Sequence, residues 1–114
     1  MRILEGQQVL MRIFIGEADK HAGKPLYQAL VEFFRQEKIA GATVLRGITG
    51  FGAMSRVHTT QILRLSQDLP VVVEVVDTQE SIDRIMPHVD EMVADGLITM
   101  EKVHVVRYAK PKRK

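Results

Sequence analysis

The 114-residue sequence contains no cysteine, no tryptophan and no asparagine. Without cysteine there can be no disulfide, no thiol nucleophile and no cysteine-ligated metal. Nor is there an uninterrupted apolar run of about 18 residues, the length a membrane-spanning helix needs. The first nine residues set Arg2, Glu5, Gln7 and Gln8 beside Ile3 and Leu4, which is not the apolar core of a signal peptide. A cytoplasmic location is therefore expected. Missing asparagine would suit a heat-adapted source, but seven glutamines and six methionines point the other way.

What is present describes one globular domain. The chain is 46% hydrophobic and 26% charged, and a chain of this length can build a core without staples. Its 16 basic residues slightly outnumber 14 acidic ones, but five of the basic residues lie in the last eight positions, which hold no acid. The excess of positive charge thus belongs to a short tail, expected to be solvated and disordered, and the body is acidic. No basic stripe interleaved with aromatics runs through that body, so nucleic acid is not expected as a partner.

Two similar halves follow one another. Val9–Ile15 alternates as a strand, with Val9, Met11, Ile13 and Ile15 on one face and Leu10, Arg12 and Phe14 on the other. After a polar loop over 16–24, Pro25 suits a first helical position. Leu26, Ala29, Leu30, Phe33 and Phe34 make one helical stripe, with Gly41 as a stop. A second strand covers about Ala42–Thr49. The valine-rich segment Leu69–Val76 reads as a central strand covered on both faces. Asp77 or Thr78 can cap a second helix, striped by Ile82, Ile85, Met86, Val89 and Val93 and ending near Gly96. Pro87 predicts a kink or a restart within it. A last strand covers about Thr99–Tyr108.

The order β-α-β, long loop, β-α-β predicts an α+β, ferredoxin-like βαββαβ fold. Right-handed crossovers place both helices on one face of a four-stranded antiparallel sheet of order 4-1-3-2. Leu10, Phe14, Val72 and Val76 then face away from the helices, with Arg12 and Glu74 able to pair among them. So large an apolar face predicts a homo-oligomer that covers it.

Two loops carry candidate chemistry. The second strand runs into Arg46-Gly47-Ile48-Thr49-Gly50-Phe51-Gly52, followed by a connection of roughly twenty residues, Gly50–Leu69, a length that is usually functional or disordered. Glycines 47, 50 and 52 permit close backbone approach to a ligand. Arg46, Arg56 and His58 add positive or titratable groups suited to a small anion. The segment fits neither a Walker loop nor a dinucleotide fingerprint, and simple turn residues would look the same. In the first loop, Lys20 and Lys24 suit phosphate, while Glu17 and Asp19 suit a metal ion or a hydroxyl group; a charged solvated turn is the plain alternative. The histidines at 21, 58, 88 and 104 show no ligand spacing, and no serine sits in a nucleophile elbow. The chain reads as a binding protein rather than an enzyme, with no catalytic residue and no metal ligand assigned.

Several segments carry a family resemblance. Gly41–Gly52 (GATVLRGITGFG) with Leu65–Val71 (LSQDLPV) resembles domain of unknown function 190, a bacterial and archaeal family. Gly16-Glu17, Lys24-Pro25-Leu26-Tyr27, Asp90-Glu91-Met92-Val93 and Gly96-Leu97 match it too, so the similarity spans about Gln8–Tyr108. That family is similar in fold to nitrogen-regulatory PII and CutA proteins. The resemblance implies a PII-like domain over residues 1–108, with a basic tail at 109–114, assembled as a homotrimer with ligand sites between subunits. It implies an adenine nucleotide (AMP, ADP or ATP, with or without magnesium) near Gly50-Phe51-Gly52, and matches Lys102 to a phosphate-contacting PII lysine. The turn before Lys102 lacks the PII glycine-rich loop, and the late PII arginine pair is not evident. Some family members are encoded beside proteins resembling fluoride channels, which suggests a membrane transporter as partner. A CutA-like divalent-metal trimer using His58, His104 or loop carboxylates, and a small phosphate-ester hydrolase or transferase, are the alternatives.

Overall fold

The computed structural model describes residues 4–51 and 68–108. In chain order the elements are β1 (Gly6–Gly16), β2 (Lys20–His21), β3 (Lys24–Pro25), α1 (Leu26–Gln36), β4 (Ala42–Arg46), β5 (Pro70–Asp77), α2 (Gln79–Met92) and β6 (Leu97–Val105). The long strands pair antiparallel in the order β4-β5-β1-β6, the expected 4-1-3-2 arrangement. The architecture is α+β and ferredoxin-like.

Alternation decides which face of the sheet is covered. Val9, Met11, Ile13 and Ile15 on β1 and Val71, Val73 and Val75 on β5 are buried with Leu26, Leu30 and Phe34 of α1 and Ile82, Ile85 and Val89 of α2. Both helices therefore lie on one face. Truncating a fully buried member such as Leu30 should cost about 2–5 kcal/mol, the lost transfer energy plus the cavity.

Element ends depart from the expected boundaries for local reasons. Pro25 is the cap residue of α1, not its first helical residue. The helix stops before Gly41, because Lys38 takes a left-handed backbone (φ 62°). The Lys38 N–H then donates to the Arg35 carbonyl (3.1 Å) and the Ile39 N–H to the Phe34 carbonyl (3.0 Å). That paired geometry is a Schellman ending, reinforced by burial of Ile39 and Phe34 in the core. The loop over 16–24 contains the small β2–β3 hairpin, turned by Ala22 (φ 51°) and Gly23 (φ 86°). β4 ends at Arg46 instead of Thr49, and β6 spans Leu97–Val105 instead of Thr99–Tyr108.

The second helix begins at Thr78, whose hydroxyl accepts from the Ser81 N–H (3.0 Å). It runs through Pro87 as one element. Pro87 is exposed, so the carbonyl it leaves without a helical donor can turn toward water. Behind the cap, the fully buried Asp77 carboxylate accepts from the Thr78 N–H (2.7 Å) and the Ala40 N–H (2.9 Å). The Tyr108 hydroxyl donates to the Ala40 carbonyl (2.7 Å). The turn between α1 and β4 is thus held at Ala40 through the two successive peptide units that flank its Cα.

Among the described residues, no helix lies on the other face of the sheet. The register aligns Leu45, Val72, Phe14 and Leu97 in one apolar row across all four strands. The neighbouring row is polar: Thr43, Glu74, Arg12 and Thr99. Leu45 and Leu97, at the two ends of the apolar row, are 49% and 56% exposed. The expected Arg12–Glu74 pair forms at 2.9 Å, and Arg12 also approaches Glu101 (3.7 Å). The hydrogen bond to Glu74 raises the Arg12 guanidinium above its ordinary value despite partial desolvation, and the charges of Glu74 and Glu101 add to it.

Candidate functional site

The glycine-rich turn leaves β4 at the end of the sheet where β1 ends and β5 begins. Gly47 donates its N–H to the Pro70 carbonyl (2.7 Å). A Cβ at position 47 would fall 2.8 Å from the Pro70 ring, and one at Gly50, where φ is 152°, would fall 3.1 Å from it. Glycine is thus required where the outgoing chain crosses Pro70. Beyond this crossing, Ile48 and Phe51 project into solvent at 92% and 80% exposure. Gly52, Arg56 and His58 lie outside the described residues.

Arg46, the last residue of β4, forms an ion pair with Glu17 just after β1. Glu17 also donates its backbone N–H to the Leu69 carbonyl (2.8 Å). Beside it, the Ala18 N–H donates to Asp68 (3.1 Å) and the Gly16 N–H to Asp19 (2.9 Å). The outgoing stem at Arg46 and Gly47 and the returning stem at Asp68–Pro70 are thus both tied to the segment that follows β1. Glu17 and Arg46 lie 29 positions apart, and nothing in their spacing announces the pair.

The remaining cations are spread out. Lys20 is exposed on the small hairpin. Lys24 is paired with Glu32 on α1 (2.6 Å). Lys102 is exposed on β6, opposite Val9, whereas Arg46 lies opposite Val71, itself opposite Ile15. Six residues along the strands and three strand spacings separate Lys102 from Arg46, or about 20 Å by about 14 Å. One chain cannot bring both side chains to a single phosphate group. Among the described residues, no three His, Asp or Glu side chains are grouped to hold a metal ion, and no helix is long and apolar enough to cross a membrane.

Comparison with known proteins agrees with this architecture. The DUF190 family, described as Uncharacterized ACR, matches residues 8–105. A UPF0166 protein of Aquifex aeolicus is 37% identical over 106 residues, covering 93% of this chain and 98% of that one. A UPF0166 protein of Methanocaldococcus jannaschii is 37% identical over 99 residues, covering 86% and 91%. Among solved structures, CPII of Thiomonas intermedia K12 bound to ADP, AMP and acetate superposes with a TM-score of 0.59 at 12% identity, over 94% of each chain. The same protein bound to ADP and bicarbonate gives 0.54 at 13% identity, over 93% of each. The fold is PII-like. Within that class, the chain belongs to the DUF190 family.

Proposed function

We propose that this chain is a PII-like regulatory protein, a homotrimer that binds an adenine nucleotide between subunits and signals through residues 50–69. The observation that carries this reading is the placement of its cations. Arg46 and Lys102 sit on opposite edge strands of one sheet, at positions whose strand partners Val71 and Val9 face the helices, and the opposite face of the sheet is crossed by an apolar row. Packing that face against other copies removes apolar area from water and offers a route for one copy's Arg46 to approach another's Lys102. Arg46, Gly47, Gly50 and Phe51 line the proposed cleft from one side and Lys102 from the other. Gly52, Arg56 and His58 continue the first group in sequence, and Lys20 and Lys24 stand at its margin. The structural relatives support the ligand class, since CPII is bound to ADP in both structures. In this reading residues 1–108 form the working domain, in the cytoplasm, and the regulated partner is a membrane transporter or channel.

Calorimetry with ATP, ADP and AMP, with and without magnesium, tests the ligand. ADP should release or absorb measurable heat at saturable stoichiometry, and no signal at millimolar nucleotide overturns the reading. A mixing experiment tests the shared site. Arg46→Ala and Lys102→Ala proteins should each lose binding, and unfolding and refolding them together should restore it in part, because mixed trimers contain intact clefts. No recovery on mixing would place the site within one chain or elsewhere.

A further inference from the structure

We infer that Glu17 is a built-in competitor for the anion site: its carboxylate occupies Arg46 in the free protein, and a bound anionic group must exchange with it. This rests on the proposed role of Arg46 and concerns how that site is regulated.

Three observations carry the inference. First, Arg46 is not a free cation; it donates through Nη2 to Glu17 Oε2. The arginine is 62% exposed and the carboxylate only 20%, so the acid is held in place while the guanidinium remains within reach of solvent. Second, Glu17 is anchored independently of Arg46. Its N–H is bonded to the Leu69 carbonyl, and Asp68 accepts from the adjacent Ala18 N–H. Losing Arg46 would therefore leave Glu17 where it is, facing any incoming anion. Third, the contacts of Glu17 divide between the two stems of the long connection. Its side chain holds the outgoing stem at Arg46, and its backbone holds the returning stem at Leu69.

The consequence is a coupling with a definite direction. A phosphate group that captures Arg46 breaks the side-chain tie on the outgoing stem and leaves the backbone tie on the returning stem intact. It also brings negative charge close to the Glu17 carboxylate, so occupancy and the tie oppose one another. A ligand shifts a conformational equilibrium only through different affinity for its two states, and this exchange supplies the difference: the untied state presents a cation, the tied state an ion pair. An exposed pair of this kind is weak enough to be exchanged. The Gly47 N–H bond to the Pro70 carbonyl and the pairing of Arg46 with Val71 hold the backbone of both stems, so the exchange is one of side-chain partners.

The test uses the full chain and ADP as probe. In the ADP-free protein, nitrogen-detected NMR of the Arg46 guanidinium should show slowed rotation that Glu17→Gln relieves. By calorimetry, Glu17→Gln should bind ADP about 3–10-fold more tightly than the unaltered protein, and Arg46→Gln more weakly. In the double variant the gain from Glu17→Gln should largely vanish, because the competitor acts through Arg46. If the unaltered protein binds ADP and Glu17→Gln binds it equally or more weakly, the exchange is overturned and the nucleotide site stands. If neither binds ADP, the nucleotide site falls and the exchange falls with it. A freely rotating Arg46 in the ADP-free protein would also overturn the exchange, whatever the affinities.

Discussion

Arg12 on β1 donates through Nε to Glu74 on β5 at 2.9 Å, directly across paired positions of the two central strands. The bond lies on the face opposite α1 and α2, one row from the apolar line Leu45, Val72, Phe14 and Leu97. A charge pair beside an apolar row fixes orientation better than it adds affinity, because wrong registers leave each charge without its partner. In the proposed trimer this pair would favour one register of the packed faces over the others.

Phe14→Lys puts an unpaired cation into the middle of the apolar row. Light scattering after size exclusion should find three chains for the unaltered protein and one for Phe14→Lys, while Phe14→Leu stays assembled. A single-chain mass for the unaltered protein at micromolar concentration would remove the trimer and the shared cleft together.

Asp77 tests the anchoring of the α1–β4 turn. Its buried carboxylate accepts from both Ala40 and Thr78, and replacing it with alanine leaves two N–H groups without that acceptor. A buried, unsatisfied group costs about 1–3 kcal/mol, and these two are partly buried, so Asp77→Ala should lower unfolding free energy by about 2–4 kcal/mol in denaturant titrations. Tyr108→Phe removes one bond at a more exposed position, and about 1 kcal/mol is expected. An equal loss in the two variants would contradict this ranking.

Much of the architecture was legible because it follows from periodicity. The valine run of β5, the alternation of β1 and the stripes on both helices each specify a buried face, and one antiparallel register also yields the Arg12–Glu74 pair. Short-range backbone choices were harder to read. Lys38 ends α1 in a conformation that glycine usually takes, so Gly41, three residues later, looked like the natural stop. The β2–β3 hairpin has two residues per strand, too few to show alternation. The grouping of Glu17, Arg46 and Leu69 depends on which strand ends meet, and nothing in their local sequence encodes it. Arg46 could be chosen as a candidate from its glycine-rich neighbourhood, whereas its occupied state could be seen only in three dimensions.

Gly96 and Gly41 separate two reasons for a glycine. A Cβ at Gly96 would lie 2.7 Å from the Phe14 carbonyl oxygen and 3.1 Å from Val93, and the first contact is with the backbone of a central strand. Gly96→Ala must therefore displace the start of β6, at about 1–3 kcal/mol, the usual range for overpacking. At Gly41 a Cβ meets nothing within 4 Å. Gly41→Ala should be neutral or stabilising by up to about 1 kcal/mol, since it restricts the unfolded chain. Thermal and denaturant unfolding of the two variants should give shifts of opposite sign, or a loss for Gly96→Ala alone.

Lys24 and Glu32 give the molecule a readable acid titration. Lys24 Nζ lies 2.6 Å from Glu32 Oε1, and Gln28 donates to the other carboxylate oxygen at 3.1 Å. The Lys24 bond, then the Gln28 bond, hold Glu32 below the ordinary carboxylate value, against a smaller desolvation effect. A lowered value in the folded state means that the unfolded chain binds the proton more readily. The stabilisation is therefore complete above the ordinary, unfolded-chain value and is lost as pH falls through the lower folded value. Carbon-detected NMR should place the Glu32 midpoint below that of an unpaired glutamate in the unaltered protein and move it upward in Lys24→Met. Added ADP should raise the same midpoint if phosphate takes Lys24 from Glu32, and leave it unchanged if Lys24 serves only the helix. The titration thus reports whether this lysine belongs to the nucleotide site, independently of affinity.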